Sequence, residues 1–349
     1  EITGASAKTK TETTNRITTV AIHGAVQKVI KVYTDSLLVM TSKKENQYTV
    51  DRLQQLVHKI CHFRQISLYH FKYGPKKYTQ HQFVALLVLY AKSNMSLRRF
   101  IQHLYESKWP EWLKLKEIPC KSSIHNHFDR IGLTLVRFMN KFALRKRRAK
   151  RLAVDSTGID ANHSSKHYEK RIGRDHRNYL KLSILGQVEK PYLIEDFTCE
   201  PSHISDVRQA KPLIRRISKN KIVFADKAYD CNWLMELAEE KGSELYCPIR
   251  KSSRNRPKGR LRRKLFDNFD KKFYNKGRNP IELMMFLLKH QGLIIRSKKV
   301  SNQIKEMAWK ILAYNIERMA RVLQLLLRVI RLWTAPYFWR CPGNHKKVY

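Results

Sequence analysis

Between residues 152 and 249 short apolar runs alternate with amphipathic ones in an order that few folds accommodate. Leu152–Gly158 (LAVDSTG) is an apolar run closed by a carboxylate and turn residues. Asn178–Val188 alternates with the two-residue period of a strand, and Pro191–Cys199 reads as its hairpin partner. Asp206 is placed to cap a helix through Ile217. Lys221–Asp226 is a second buried strand that ends in Asp, Asn232–Lys241 is helical with Gly242 as its stop, and Glu244–Ile249 is a further strand. Three strands, helix, strand, helix, strand predicts a mixed α/β sheet, with a leading hairpin and parallel pairs joined by helices.

The flanks read as helical. Upstream, residues 40–148 carry helical apolar spacing at Asp51–Ile60. Thr79 is an N-cap for Gln80–Tyr90, Ser96 for Leu97–Tyr105, and Ser122 or Ser123 for a helix through Phe138 and Met139. Short basic helices with tight links fit a helix-turn-helix type of DNA-binding module and equally a helical packing module. Phe142–Arg151 (FALRKRRAKR) is a linker or a phosphate-contacting strip. Downstream, Arg250–Lys276 reads as a basic loop over nucleic acid or as a disordered linker. Pro280–Leu288 is helical, and Ser301–Trp333 is a long helix with Trp309, Leu312, Ile316, Met319 and Leu323 on its core face. Thr334–Tyr349 is a tail. The first Met is Met40, so residues 1–39 read as a non-native or disordered extension.

Lys and Arg number 70 against 29 Asp and Glu, a net charge of +41. Such self-repulsion is offset by a polyanion, and each neutralised phosphate releases a counterion, so nucleic acid is the expected partner. The six cysteines, at 61, 120, 199, 231, 247 and 341, form no CxxC pair and read as reduced thiols. His58, Cys61, His62 and His70 are more readily helix residues than a zinc site. No segment reaches the roughly 18 apolar residues of a membrane span, and a cytoplasmic, nucleoid-associated location is expected.

Phosphodiester chemistry needs an activated nucleophile and a stabilised leaving oxygen, and two hard cations roughly 3.5–4 Å apart supply both. Their ligands are carboxylates at rigid element ends. Asp155 and Asp226 each close an apolar strand; on adjacent strands both would face the crevice at the strand carboxyl ends. Turn initiation is the alternative role for each. Glu282 is the third carboxylate. Asn279, Pro280 and Glu282 fit the N-cap, N1 and N3 positions of a capping box, so a structural role stays open beside the chemical one. Arg278 precedes it and Lys289 follows two turns later on one face. Glu195, Asp196, Asp230 and Glu306 are competing carboxylates.

The stretches LAVDSTG (152–158), VFADKAYD (223–230) and YNKGRNPIELMMFLLK (274–289) resemble the DDE transposases of prokaryotic insertion sequences. Arg278, Glu282 and Lys289 match that family's Arg, three residues, Glu, six residues, Lys spacing, whereas Tyr274 stands one residue too far from Arg278. The resemblance implies a ribonuclease-H-like domain over 149–333, with 250–276 as a basic insertion, behind a helical DNA-binding region. It implies Asp155, Asp226 and Glu282 as catalytic metal ligands, two Mg2+ (or Mn2+) ions, and cleavage and strand transfer at terminal inverted repeats of double-stranded DNA. It also implies a homodimer or higher oligomer on that DNA. Arg278 and Lys289 would contact DNA, joined by Lys227, Arg254, Arg256, Arg262 and Arg263 from the basic segments. Competing readings are a non-catalytic or domesticated DNA-binding protein, an RNA- or ribosome-bound basic protein, and a metal-dependent nuclease that never joins strands.

Overall fold

The computed structural model describes residues 51, 53–55, 57–59, 61–63, 65–69, 72–73, 76–145, 149–160, 179–201, 204–250, 256–290 and 293–338. The expectations for residues 1–39, His70, Arg254 and the last eleven residues of the tail fall outside them. The described residues from 53 onward form one compact unit.

A five-stranded sheet in the order β3-β2-β1-β4-β5 is its centre. Strands β1 (Arg151–Asp160), β2 (Tyr179–Gln187) and β3 (Ile194–Pro201) are antiparallel, whereas β4 (Ile222–Phe224) and β5 (Glu244–Tyr246) run parallel to β1. The mixed sheet flanked by helices is the α/β architecture expected above. One face is covered by α6 (Asp206–Arg216), which packs against β2 and β3 and against α7 (Asn232–Glu240). The other is crossed by α9 (Lys271–His290), which follows α8 (Arg260–Asp267). Gly242, in the left-handed region at φ +63°, ends α7 as expected.

Three sequence expectations are corrected. Strand β1 does not stop at Asp155. Ser156, Thr157 and Gly158 look like turn residues, but β2 pairs with them through Asp160↔Tyr179, and the backbone bonds of that long ladder override local turn preference. Arg250–Lys276 is not a continuous loop, since α8 and the start of α9 lie in it. Leu261 and Leu265 stand four apart, one turn, so Leu265 is buried while Arg263 and Lys264 between them are exposed. Third, α9 begins at Lys271, so Asn279 and Pro280 are interior and no capping box explains Glu282.

The upstream helices are α1 (Gln80–Ser93), α2 (Leu97–Glu106), the single turn α3 (Trp109–Trp112), α4 (Lys121–Arg130) and α5 (Leu133–Leu144). Thr79 closes a full capping box with Gln82, and Ser96 caps α2, both as predicted. The helix expected from Ser122 through Met139 is two, with Gly132 capping the second. Phe83 to Leu89 are all buried, so α1 is apolar on every side because it is a core helix. It packs, with α5, on α10 (Val300–Phe338), where Trp309, Leu312 and Ile316 are buried as their spacing predicted. The upstream helices and the sheet therefore share one core.

The outer edge of β3 is closed by side chains. Asn315, fully buried on α10, accepts from Ile194 N at 2.9 Å and donates to Ile194 O at 2.8 Å, imitating a strand neighbour. It also donates to Asn140 of α5 at 2.7 Å. Asn315→Leu would strand the buried Ile194 N–H and the Asn140 carboxamide oxygen, each costing about 1–3 kcal/mol, while Ile194 O keeps its donor from Asn140 at 3.1 Å. The expected loss is about 2–4 kcal/mol of unfolding free energy, read from the urea midpoint at unchanged slope.

Candidate active site

The parallel ladder between β1 and β4 ends at the rung Ala153↔Phe224. Asp155 and Asp226 each lie two residues past it, at the same offset on adjoining chains. Side chains two apart share a face, so Asp155 stands on the side of Ala153 that α9 covers. Asp226 keeps extended backbone (φ −72°, ψ 166°) and caps the 3-10 turn Lys227–Tyr229, accepting from Lys227 N at 2.6 Å.

Helix α9 approaches this end closely because of two glycines. A side chain at Gly277 would collide with the Phe224 ring on β4, and one at Gly186 on β2 with Met284 and Ile281 of the helix. The helix thus crosses from β4 over β1 to β2, and Arg278 comes down on Asp155. Its Nη2 lies 3.1 Å from Asp155 Oδ2, with the two side chains 12% and 23% exposed. Burial raises the Asp155 carboxyl above its ordinary pKa; Arg278 pulls it down, and neighbouring Asp226 pushes it up. Nη1 of Arg278 is buried with no partner. Tyr274, one turn earlier, shares a side-chain hydrogen bond with Arg278. The extra residue before Arg278 therefore leaves Tyr274 at i,i+4, still on the arginine's side of the helix.

Glu282 is one turn beyond Arg278 on α9 and exposed, as is Lys289. The structure brings together Asp155, Asp226, Arg278 and Tyr274, and leaves Glu282 at the rim. Among the described residues no three His, Cys, Asp or Glu side chains are grouped to hold a metal, at this site or around His58, Cys61 and His62.

The competing carboxylates are engaged elsewhere. Asp196 pairs with Arg216 at 2.6 Å, Glu195 accepts from Gln187 at 3.0 Å, and Glu306 accepts from the backbone of Arg296 and Ser297. Asp230, whose side chain is fully buried, takes a two-pronged contact from Arg262 at 2.6 and 2.7 Å and one from Arg250 N. Arg262 is thus a buried counter-ion, with Nη1 also donating to Lys258 O. Lys227, Arg256 and Arg263 are exposed or at the surface, and Arg256 pairs loosely with Asp267 at 3.7 Å.

Sequence reasoning missed what lies beneath the carboxylates. Ser156 turns to the α6 face, where its hydroxyl meets Ser183 Oγ at 2.6 Å and Tyr229 Oη at 2.9 Å. Ser183 continues to Gln209 Oε1 at 2.5 Å, and both are fully buried. One chain of hydrogen bonds therefore ties the residue after Asp155 to the turn after Asp226. Tyr229 was visible in VFADKAYD, but nothing local says that its hydroxyl crosses to β1. Tyr229→Phe should cost about 1 kcal/mol in thermal unfolding. It should slow DNA cleavage by about tenfold, since small displacements of reacting groups are costly. Unaltered cleavage with the stability loss would reduce Tyr229 to a packing residue.

A parallel strand pairing followed on both chains by a carboxylate, and crossed by a helix that brings a largely buried arginine, defines an α/β protein with an acidic site just past the last parallel rung. Residues 146–316 match the family model described as the transposase DDE domain. That match supports a DDE-type transposase domain over those residues, in a family that generally uses divalent metal ions. A cryo-EM structure of the piggyBac transposase synaptic complex with hairpin DNA is similar over 78% of this chain and 72% of that one, at 9% identity and a TM-score of 0.38. No curated protein matches the chain. Among the described residues no helix is long and apolar enough to cross a membrane.

Proposed function

We propose that the protein cleaves and joins DNA at the terminal inverted repeats of an insertion sequence, using Asp155, Asp226 and Glu282. The observation that carries the reading is the placement of Asp155 and Asp226 at one offset past the last β1–β4 rung, with Arg278 paired to Asp155.

The residues fit a divalent cation in kind, because carboxylate oxygens are the hard donors that Mg2+ or Mn2+ prefers. Asp155 and Asp226 would hold it, with Glu282 joining as the third ligand; its exposure leaves the side chain free to turn. Two ions bound there would supply charge neutralisation at the phosphate and a lowered pKa for water. The protein's own groups do the rest. Arg278 holds the charge of Asp155 in the free protein. Tyr274 orients that guanidinium. Lys289, Lys227, Arg256 and Arg263 flank the crevice as phosphate contacts, and two copies of the chain would hold the two element ends.

The test is cleavage and joining of terminal-repeat duplex in Mg2+ by the wild type and by Asp155→Asn, Asp226→Asn and Glu282→Gln. Each variant should bind the duplex and fail to cut it. Full cleavage by one variant would remove that residue from the site. Binding with no cutting by the wild type would favour a non-catalytic DNA-binding protein, and cutting without joining a nuclease.

A further inference from the structure

A second basic feature lies away from the carboxylates, at the end of the sheet where β1 and β4 begin. A groove of about 720 Å³ is bounded there by the end of α5, the approach to β1, the end of α6 and the approach to β4. Arg151, where β1 starts, is four residues before Asp155, roughly 13 Å along the strand.

Its charge is one-sided. Among the described residues, six cations line it against two carboxylates, Glu195 and Asp196. Both acids are already committed, Asp196 to Arg216 and Glu195 to Gln187. Lys221 is buried and donates to Ala149 O, so it belongs to the floor. Lys141, Arg145, Lys150 and Lys219 are exposed around the rim. Helix carboxyl ends attract cations, which accounts for Arg216 and for Lys141 and Arg145 near the end of α5. It does not account for Lys150 and Lys219, which lie on the connections into β1 and β4.

We infer that this groove is a second DNA site, which takes the phosphate backbone of a duplex segment other than the one at the carboxylates. Spaced lysines without base-reading groups position a backbone and carry no sequence preference. Of the basic run Phe142–Arg151, ambiguous in the sequence, Arg145 and Lys150 are then phosphate contacts. The inference concerns binding alone and does not depend on metal-driven cleavage.

The test uses the full chain in EDTA and a fluorescein-labelled duplex of arbitrary sequence, about 40 base pairs long, titrated from roughly 50 to 200 mM salt. Each lost phosphate contact flattens the plot of log K against log salt by about 0.9. The triple variant Lys141→Ala, Lys150→Ala, Lys219→Ala should flatten it by about 2 to 3 and bind at least about tenfold more weakly at low salt. The triple Lys→Arg variant should restore the slope, and Lys150→Glu alone should flatten it in the same direction. Binding in EDTA is read without any cleavage, so a failed cleavage reading and a failed groove give different results. An unchanged slope in a folded triple-alanine variant overturns the inference. So does a loss confined to single-stranded RNA, which would give the groove to a different partner.

Discussion

Asp155→Asn and Asp226→Asn are each expected to lower DNA cleavage by at least about a thousandfold, which is ~4 kcal/mol of barrier. The size follows from the site's charge. Asn fills nearly the volume of Asp and keeps one acceptor oxygen, but it loses the negative charge a divalent cation needs. The fold should tolerate either change. In Asp155→Asn, Arg278 remains close enough to feel Asp226, and the burial that raises the Asp155 carboxyl no longer opposes a charge. Single-turnover rates on terminal-repeat duplex, with thermal midpoints beside them, check both halves. Cleavage within tenfold of wild type by a folded Asp226→Asn protein would leave Asp226 as a turn cap for Lys227–Tyr229 and nothing more.

Gly277→Val is expected to damage both stability and activity without touching a charged group. The Phe224 ring occupies the space a Cβ would need. It cannot retreat, being fully buried and packed on Tyr246 and Phe273 with ring centroids 5.7 and 5.1 Å away. A better residue than Gly for helix propensity gains only about 1 kcal/mol. Overpacking a tight contact costs typically 1–3 kcal/mol, occasionally more, so about 2–3 kcal/mol of stability should be lost. The helix must lift from β4, taking Arg278 and Glu282 with it, and displacement near 1 Å can cost about a hundredfold in rate. Phe224→Leu in the same chain should return part of both losses. Denaturant midpoints and cleavage rates of the two single variants and the double one measure that coupling. Strict additivity would mean that the helix does not rest on this contact.

Much of the protein is legible without coordinates. The order of apolar runs specifies the sheet and its flanking helices because burial patterns repeat every two residues in strands and at threes and fours in helices. Thr79, Ser96 and Gly242 mark helix ends through their own backbone chemistry. Strand-end acids in a chain of +41 charge single out Asp155 and Asp226 as candidates. Other features are properties of pairs distant in sequence. Turn-like residues after Asp155 continue as strand because β2 offers them partners. Asn279-Pro280 looks like a helix start and is interior because the helix already runs from Lys271 and packs on the sheet. Arg262, read as a surface cation, is drawn in by buried Asp230. Local sequence sets propensity and periodicity. The partner of a buried charge or hydroxyl is set by which elements the sheet brings within about 3 Å, and only the folded chain contains that information.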